Sequence, residues 1–420
     1  MSLRNRELAN LIVVGMLTAI GFASVYIARQ AVVSTGSLAY AGFFFALYLA
    51  AHLVSRLTVP NADPYLLPMA ALLTAVGLTE IYRLDPTDAF RQGLWIVVAV
   101  GALAATLFLL HRDYRRLESY KYLFGLAAIG LLVLPALPLI GQSINGARLW
   151  IHFGSLQFQP GEIAKVLLIV FLAGYLREKR EVLAQGRLKD FGPLLVIWGG
   201  AMLVLVETND LGSALLYFGI FLAMLYVATG RLAYVLIGGV LFVGGAAGAY
   251  KLIGHVRTRV EIWIDPWPHI HTSGYQITQS LYSISNGGFG GAGLGKGTFT
   301  TTNGATLIPS ANTDFIYSAI AQELGLVGAA ALLLVFMLFI ARGMKVAMLA
   351  DDGFSKLLAA GLTFSFALQT FIIVGGILRM IPLTGVTLPF VSYGGSSVVA
   401  NFVLLAGLLL ISNRSNAPTR

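Results

Sequence analysis

The chain has 420 residues, of which 57% are hydrophobic and only 11% are charged. A water-soluble domain carries roughly 25% charged residues, so this composition excludes one and predicts an integral membrane protein. The net charge of +9 would suit a nucleic-acid partner, but most charges lie in short loops between apolar segments, which excludes nucleic-acid binding. The absence of cysteine excludes disulfides and thiol chemistry.

Apolar segments recur along the whole chain, and each is about long enough to cross a bilayer as a helix. Arg4 and Arg6 precede the first one, as in a signal peptide, but further segments follow, so we expect a retained first helix. The sequence thus predicts an all-α, polytopic transmembrane bundle with about twelve spans in a single membrane domain, residues 1–420. The predicted spans are residues 11–27, 38–53, 65–82, 93–110, 122–140, 163–176, 191–206, 211–228, 232–250, 324–340, 357–374 and 396–411.

The distribution of Lys and Arg predicts the orientation, since cytoplasmic loops carry an excess of both. With the N-terminus inside, 18 of the 28 basic residues fall in inner segments, 9 fall in outer segments, and Lys165 lies within a span. We therefore expect both termini in the cytoplasm.

This orientation places two segments outside that carry aromatic residues and are more than plain connectors. The larger one covers about residues 251–314 and holds aromatic residues among many glycines, which favours an ordered loop that lies along the membrane. The smaller one, residues 141–162, carries Trp150. The functional site is therefore predicted to lie on the outer face of the membrane.

A glycine-rich stretch in the larger outer segment, Gly290-Gly-Ala-Gly-Leu-Gly295-Lys296-Gly297, is close to a phosphate-binding P-loop. A P-loop needs Ser or Thr directly after the Lys, and Gly297 stands there instead. The segment also faces away from cytoplasmic ATP. An ATPase site is excluded, whereas close approach to a lipid headgroup stays open.

Several ionisable residues lie at the outer ends of spans. Glu162 and Lys165 share one helix face, so they either snorkel as an interfacial pair or help to shape a site. Asp210 and Asp314 each precede a helix, where they either cap it or line a cavity.

The most specific stretch is Pro382-Leu-Thr-Gly-Val-Thr-Leu-Pro389-Phe-Val-Ser392-Tyr-Gly-Gly-Ser396-Ser397. Its prolines and glycines predict broken backbone at membrane depth, which is tolerated only inside protein or against a cavity. A helix that starts near Gly395 would point its free N–H groups outward, as in an anion site. A Ser cap alone would explain Ser396 but not the rest.

This stretch resembles the C-terminal hallmark of the SEDS proteins (shape, elongation, division and sporulation), the group of RodA, FtsW and SpoVE. Further stretches match the pattern of the same family in order. They are Asn145-Gly-Ala-Arg148-x-Trp150, Gln159-Pro-x-Glu162-x-x-Lys165, Asp210-Leu-Gly-Ser, Gly274-Tyr275-Gln276, Asn312-Thr-Asp314-Phe and Glu323-Leu-Gly-Leu-Val-Gly.

The resemblance implies a bacterial peptidoglycan glycosyltransferase in the cytoplasmic membrane, nearer to the elongation (RodA-like) members. Such proteins polymerise lipid II, a disaccharide-pentapeptide on undecaprenyl pyrophosphate, by inverting transfer, and they pair with a class B penicillin-binding protein. No cofactor is implied with certainty, although a divalent cation is compatible with the pyrophosphate. The family core has ten spans, residues 65–420 here, so residues 1–64 are two additional spans.

The sequence departs from the family pattern in the large outer segment. Many members carry an essential acid four residues after the Asp-Pro, but here Asp265-Pro266 is followed by His269 at that place. We expect Asp265 to be the base that deprotonates the acceptor hydroxyl. The alternatives are that His269 takes the role, that catalysis is weakened, or that Asp265 only initiates a turn.

The remaining predicted site residues would bind substrate, with no metal ligands among them. They are Arg148, Trp150, Glu162, Lys165, Asp210, His269, Tyr275, Gln276, Asp314, Ser392, Ser396 and Ser397. Two other functions stay open: a flippase for lipid-linked precursors, and a non-catalytic scaffold of a cell-wall synthase. The polar residues cluster at the outer face rather than through the full depth of the bundle, which favours the enzyme over the flippase.

Overall fold

The computed structural model describes residues 2–30, 35–137, 140–144, 147–153, 156–185, 192–298 and 307–417. Parts of several predicted segments lie outside the described residues. They are residues 138–139 of the span 122–140, residues 145–146 and 154–155 of the smaller outer segment, residues 186–190 of an inner segment, residue 191 of the span 191–206 and residues 299–306 of the larger outer segment.

The described chain folds into a bundle of helices with one small sheet. Its α-helices are α1 (Leu3–Gln30), α2 (Thr35–Thr58), α3 (Leu66–Leu84), α4 (Pro86–Leu110), α5 (Arg116–Ser119), α6 (Lys121–Val133), α7 (Pro160–Glu178), α8 (Arg180–Ala184), α9 (Gly192–Glu207), α10 (Leu211–Thr229), α11 (Leu232–Leu252), α12 (Gly254–Ile264), α13 (Tyr275–Gly287), α14 (Ile316–Leu349), α15 (Gly353–Ile377) and α16 (Gly395–Ser415).

Each predicted apolar segment has most of its described residues on a helix, which confirms the polytopic helical bundle, although the span 122–140 runs past the end of α6 at Val133. Within the described residues, nine helices are long and apolar enough to cross a membrane. The other three predicted spans lie on α6, α7 and α9. Helices α6 and α9 are short, and α7 carries charged residues near both of its ends. The orientation of the termini stays a prediction.

A three-stranded antiparallel sheet occupies the smaller outer segment, which adds strands to the expected all-helical fold. Its strands are β1 (Gly141–Ile144), β2 (Ala147–Phe153) and β3 (Leu156–Phe158), in the order β1-β2-β3. Residue Trp150 pairs with Gln142, and Ile151 pairs with Phe158. The sheet leads directly into α7 and contacts the start of α16 through β3.

The centre of the bundle is formed by α3, α15 and α16, in which most residues are buried. Helix α11 lies at the periphery and is almost entirely exposed. Its exposed surface is apolar, as expected for a helix that faces lipid.

The first two helices pack on α3 and α4. Near the start of α1, Arg4 forms an ion pair with Glu7 and donates to the carbonyl oxygen of Ala62. The carboxylate of Glu7 also lies 2.7 Å from Nδ1 of His52 on α2. These buried polar contacts join α1 to α2 and to the turn that leads into α3.

Helix α14 is interrupted by Gly325, which has a φ of +66°. A Cβ on nearby Gly291 would lie 2.1 Å from the carbonyl oxygen of Glu323, so the backbones meet in a way that only glycine permits. This contact lays the glycine-rich stretch across the outer part of α14.

Candidate active site

The broken segment between α15 and α16 forms the floor of the outer face. Residue Ser392 donates from Oγ to the carbonyl oxygen of Thr313 at 2.6 Å, and the backbone N–H of Tyr393 donates to that of Asn312 at 2.8 Å. The segment is therefore joined to the turn that carries Asp314.

Beside this junction lies a cavity of about 410 Å³. Its walls come from α12, the start of α13, the turn before α14 and the broken segment. The lining residues are His255, Thr258, Arg259, Ile262, Trp263, Ser273, Gln276, Ile277, Ser310, Asp314, Gly376, Arg379, Ile381, Leu383 and Gly385.

Helix α12 is held against the broken segment by three polar residues. Arg259 donates to the carbonyl oxygen of Thr384 at 3.0 Å, and Nε1 of Trp263 donates to that of Arg379 at 2.9 Å. The guanidinium of Arg379 donates back to the carbonyl oxygen of Trp263, also at 2.9 Å. These bonds set the width of the cavity. Of the two arginines that line the cavity, Arg259 has an exposed side chain and Arg379 is half-buried.

Residue Asp314 contributes a carboxyl to the cavity wall. Burial raises the pKa of Asp314 to about 6, although the neighbouring Arg259 guanidinium lowers it in part. A carboxyl with that pKa is poised to exchange a proton near neutral pH.

A buried polar chain leads from α7 to the broken segment. Nζ of Lys165 donates to Glu162 at 2.8 Å and to Oε1 of Gln369 at 2.6 Å, and Nε2 of Gln369 donates to the carbonyl oxygen of Thr387 at 2.9 Å. The side chain of Lys165 is only 2% exposed. The pair therefore lies inside the bundle, unlike a pair that snorkels at the interface.

Residue Asp210 caps α10, because its carboxylate accepts from the backbone N–H of Ser213 at 3.0 Å. Burial raises the pKa of Asp210, and Glu162 raises it further, whereas the bond from Ser213 and the charge of Arg259 lower it. The cap therefore belongs to the same charge cluster as the cavity.

Residue Asp265, the predicted base, ends α12 and is exposed. Its Oδ1 accepts from the backbone N–H of Trp267 at 3.2 Å, which is the geometry of an Asp-Pro turn. The described cavity lining includes Trp263, two residues earlier, but not Asp265. The half-buried His269 follows in the same turn.

The motif after this turn anchors α13 to the far end of the outer segment. Tyr275 donates from its hydroxyl to the carbonyl oxygen of Leu307 at 3.0 Å, and Gln276 donates to that of Pro309 at 3.1 Å. Residue Gln276 also lines the cavity.

At the start of α16, where an anion site was predicted, the backbone N–H of Gly394 donates to Oε1 of Gln92 at 3.1 Å. Oγ of Ser396 accepts from the backbone N–H of Gln159 at 2.7 Å, and Oγ of Ser397 accepts from Thr387 at 2.9 Å. Both hydroxyls join α16 to its neighbours. Arg148 and Trp150 lie on β2, apart from the cavity lining, and the Arg148 side chain is exposed.

The glycine-rich stretch binds a carboxylate of the protein itself. The backbone N–H groups of Gly295 and Gly297 donate to Glu323 at 2.7 and 3.0 Å, and Nε of Arg83 lies 2.6 Å from the same carboxylate. The nest that would hold a phosphate in a P-loop is therefore filled by Glu323.

Sequence reasoning overlooked Arg259 and this Arg83–Glu323 pair. Residue Arg259 lies four positions before Trp263, so the two share one face of α12, a spacing that could have drawn attention to it. No comparable local signal links Arg83 to Glu323, because they are distant in the chain. Within the described residues, no three His, Asp or Glu side chains are grouped as metal ligands.

Comparison with known proteins gives three consistent findings. The sequence model of the cell cycle protein family FTSW_RODA_SPOVE matches residues 64–417. The protein named peptidoglycan glycosyltransferase RodA from Mycobacterium tuberculosis (strain ATCC 25618 / H37Rv) is 41% identical over 438 residues, an alignment that covers 99% of this chain and 92% of the relative. That coverage includes α1 and α2, which precede the residues matched by the family model.

Two solved structures share the fold. A chain from a structure described as structural coordination of polymerization and crosslinking by a peptidoglycan synthase complex matches with a TM-score of 0.69, 28% identity and coverage of 85% of this chain and 99% of its own. The crystal structure of Thermus thermophilus rod shape determining protein RodA matches with a TM-score of 0.62, 28% identity and coverage of 85% and 98%.

Proposed function

Because the chain belongs to the FTSW_RODA_SPOVE family of cell cycle proteins, we propose that it polymerises lipid II into glycan strands at its outer cavity. The protein is a peptidoglycan glycosyltransferase and a multi-pass protein of the bacterial cytoplasmic membrane. The 65–420 region acts as the catalytic core, and residues 1–64 add two spans that pack on it.

The observation that carries this proposal is a cavity that combines a carboxyl and a cation. Asp314 and Arg259 both line this cavity, and the charges of Glu162 and Arg259 both act on Asp210. The Lys165–Glu162 pair is linked through Gln369 to the broken segment. A transferase that breaks a bond to pyrophosphate needs both kinds of group, a base for the attacking hydroxyl and positive charge for the departing oxygens.

The proposed chemistry is a single inverting displacement. The acceptor sugar hydroxyl loses its proton to a carboxylate and attacks the anomeric carbon, while the bond from that carbon to the pyrophosphate oxygen breaks with its electron pair. Arg259 is the best-placed cation for the leaving pyrophosphate, because its side chain stays exposed although it donates to the carbonyl oxygen of Thr384. Lys165 is buried between protein partners, and Arg379 is half-buried and donates to protein carbonyl oxygens. A divalent cation on the pyrophosphate would also stabilise the negative charge of the leaving group.

Two carboxyls compete for the role of base. We assign it to Asp265, which precedes the Gly274-Tyr275-Gln276 motif and is accessible to a membrane-bound acceptor. The second candidate is Asp314, because it lies in the cavity wall and its pKa of about 6 suits proton transfer. His269 stands where many relatives of the family carry their acid and is the third group to test.

The other predicted residues take binding roles in this scheme. Gln276 and Asp314 would contact the sugar in the cavity, while Tyr275, Ser392, Ser396 and Ser397 would hold its walls through the bonds described above. Arg148 and Trp150 on the outer sheet would meet the growing strand at the membrane surface.

The proposed partner is a class B penicillin-binding protein that crosslinks the new strands. A neighbour in fold comes from a synthase complex that couples polymerization to crosslinking, which supports such a pairing. The relative named RodA supports a role in elongation.

Polymerisation of purified lipid II by the purified chain, with and without its penicillin-binding partner, tests the proposal against its rivals. We expect glycan strands from the chain in both cases, with more product beside the partner. Strand formation by neither preparation would favour the scaffold, and movement of lipid II across vesicle membranes without polymerisation would favour the flippase.

A further inference from the structure

A second polar cavity lies at the opposite end of the bundle from the outer site. It has a volume of about 320 Å³ and is lined by the start of α1, the turn before α3 and the last turns of α14 and α16. Since α14 begins beside the outer cavity and ends here, this cavity lies at the cytoplasmic membrane interface in the proposed orientation.

The cavity lining carries more positive than negative charge. Nε of Arg342 donates to Asp63 at 2.8 Å, and the guanidinium lies 4.8 Å from the centre of the Tyr65 ring. That pair is internally neutral and fixed in place. Lys345 also lines the cavity, and it has no carboxylate partner among the described residues. One uncompensated positive charge therefore faces the space.

A hydroxyl donor accompanies this charge. Oγ of Ser412 accepts from the backbone N–H of Asp63 at 2.9 Å and from Nδ2 of Asn416 at 3.3 Å. These two bonds occupy its lone pairs and leave its O–H to donate into the cavity. The donor is held by main-chain and side-chain contacts before any ligand arrives, which lowers the cost of binding.

Part of the remaining wall is apolar. Leu3, Val346 and Leu349 line the cavity together with the polar Ser415 and Asn416, and the side chain of Leu349, at the end of α14, is exposed. A ligand that satisfies both surfaces has one negative charge, several oxygen acceptors and an attached hydrocarbon chain.

We propose that this cavity binds the phosphodiester headgroup of an anionic glycerophospholipid from the cytoplasmic leaflet. Lys345 and the Ser412 hydroxyl contact the phosphate oxygens, and the first acyl carbons lie against Val346 and Leu349. Basic pockets between membrane helices on this side are suited to such headgroups. A bound lipid would join α1, α14 and α16, and so fasten the additional N-terminal spans to the core.

Lys345→Ala tests this assignment in the full-length protein, with Lys356→Ala as a matched control. Lys356 is also an exposed lysine near an inner helix end, but it lies at the start of α15, outside the cavity. Phosphatidylglycerol and phosphatidylcholine are titrated separately, and the bound lipid is counted by native mass spectrometry.

We expect Lys345→Ala to weaken phosphatidylglycerol binding by about fivefold, the contribution of one lysine near a charged membrane surface. Lys356→Ala should bind like the wild type, and phosphatidylcholine should bind weakly to all three proteins. Equal phosphatidylglycerol affinity for both variants would overturn the proposal. Displacement of the lipid by millimolar inorganic phosphate would also overturn it, since the site would then recognise a soluble anion. Both outcomes are independent of polymerase activity, so they do not depend on the proposed function.

Discussion

Removal of one member of the Glu162–Lys165 pair should destabilise the bundle far more than removal of both. The Lys165 side chain is 2% exposed and that of Glu162 is 11% exposed, and their charged atoms lie 2.8 Å apart. In Glu162→Gln the Lys165 ammonium keeps only neutral partners, among them Gln369 at 2.6 Å. Breaking such a buried pair costs about 3–5 kcal/mol, a large share of a typical folding free energy of roughly 5–15 kcal/mol.

The double variant Glu162→Gln/Lys165→Met separates stability from function. Replacement of both charges by groups of similar volume is often close to neutral, so this protein should regain most of the lost stability. If the pair shapes the site, as we propose, the double variant should fold and still fail to polymerise lipid II. Thermal unfolding of the purified proteins in lipid nanodiscs, followed by the polymerisation assay on the same samples, measures both quantities.

An exposed pair on the same outer face provides the control. Nε of Arg257 lies 2.8 Å from Glu261, but their side chains are 65% and 40% exposed, so Glu261→Gln should leave the stability close to that of the wild type. The reasoning would be refuted if both single variants, Glu162→Gln and Lys165→Met, kept wild-type stability and activity.

Three further predictions concern the topology, the glycine-rich stretch and the pH dependence. In this cysteine-free chain, a membrane-impermeant thiol reagent added outside should label Ser273→Cys and spare Arg180→Cys; the reverse pattern would contradict the orientation. Glu323→Gln should release the glycine-rich stretch, so hydrogen exchange at the Gly297 amide should accelerate at least tenfold, and unchanged exchange would speak against the contact. Burial raises the pKa of Asp314 to about 6, so the stability cost of its charge appears as pH rises through that value. Asp314→Asn should therefore be more stable than wild type by up to about 3 kcal/mol at pH 8 and equal to it near pH 4, and a constant difference across this range would disprove the burial effect.

The sequence predicted the helices well because the signal for a membrane span is local. Each apolar segment is long, and its charges lie at its ends, so composition within one window is sufficient. The broken backbone after Pro382 was predicted for the same reason, since prolines and glycines act on their own neighbourhood. The small sheet was missed, because strand pairing between residues such as Trp150 and Gln142 depends on a turn rather than on composition.

Contacts between distant parts of the chain could not be predicted from a single sequence. Lys165 was expected to pair with Glu162 three residues away, and it does, but its second partner is Gln369 on α15. Likewise, the sequence alone does not decide whether Asp314 caps a helix or lines a cavity, and the structure places it in the same cavity lining as Arg259. Local spacing gives the candidates, whereas tertiary packing decides which of them meet.

The rate of lipid II polymerisation by Asp265→Asn shows whether this carboxylate deprotonates the acceptor hydroxyl. A general base contributes about 10²–10⁴-fold, so we predict at least a hundredfold loss in a protein that remains folded and bound to its partner. His269→Ala and Asp314→Asn are measured beside it, and both should retain more activity than Asp265→Asn. A near wild-type rate for Asp265→Asn, together with an inactive His269→Ala or Asp314→Asn, would contradict the assignment and identify the inactive variant's residue as the base.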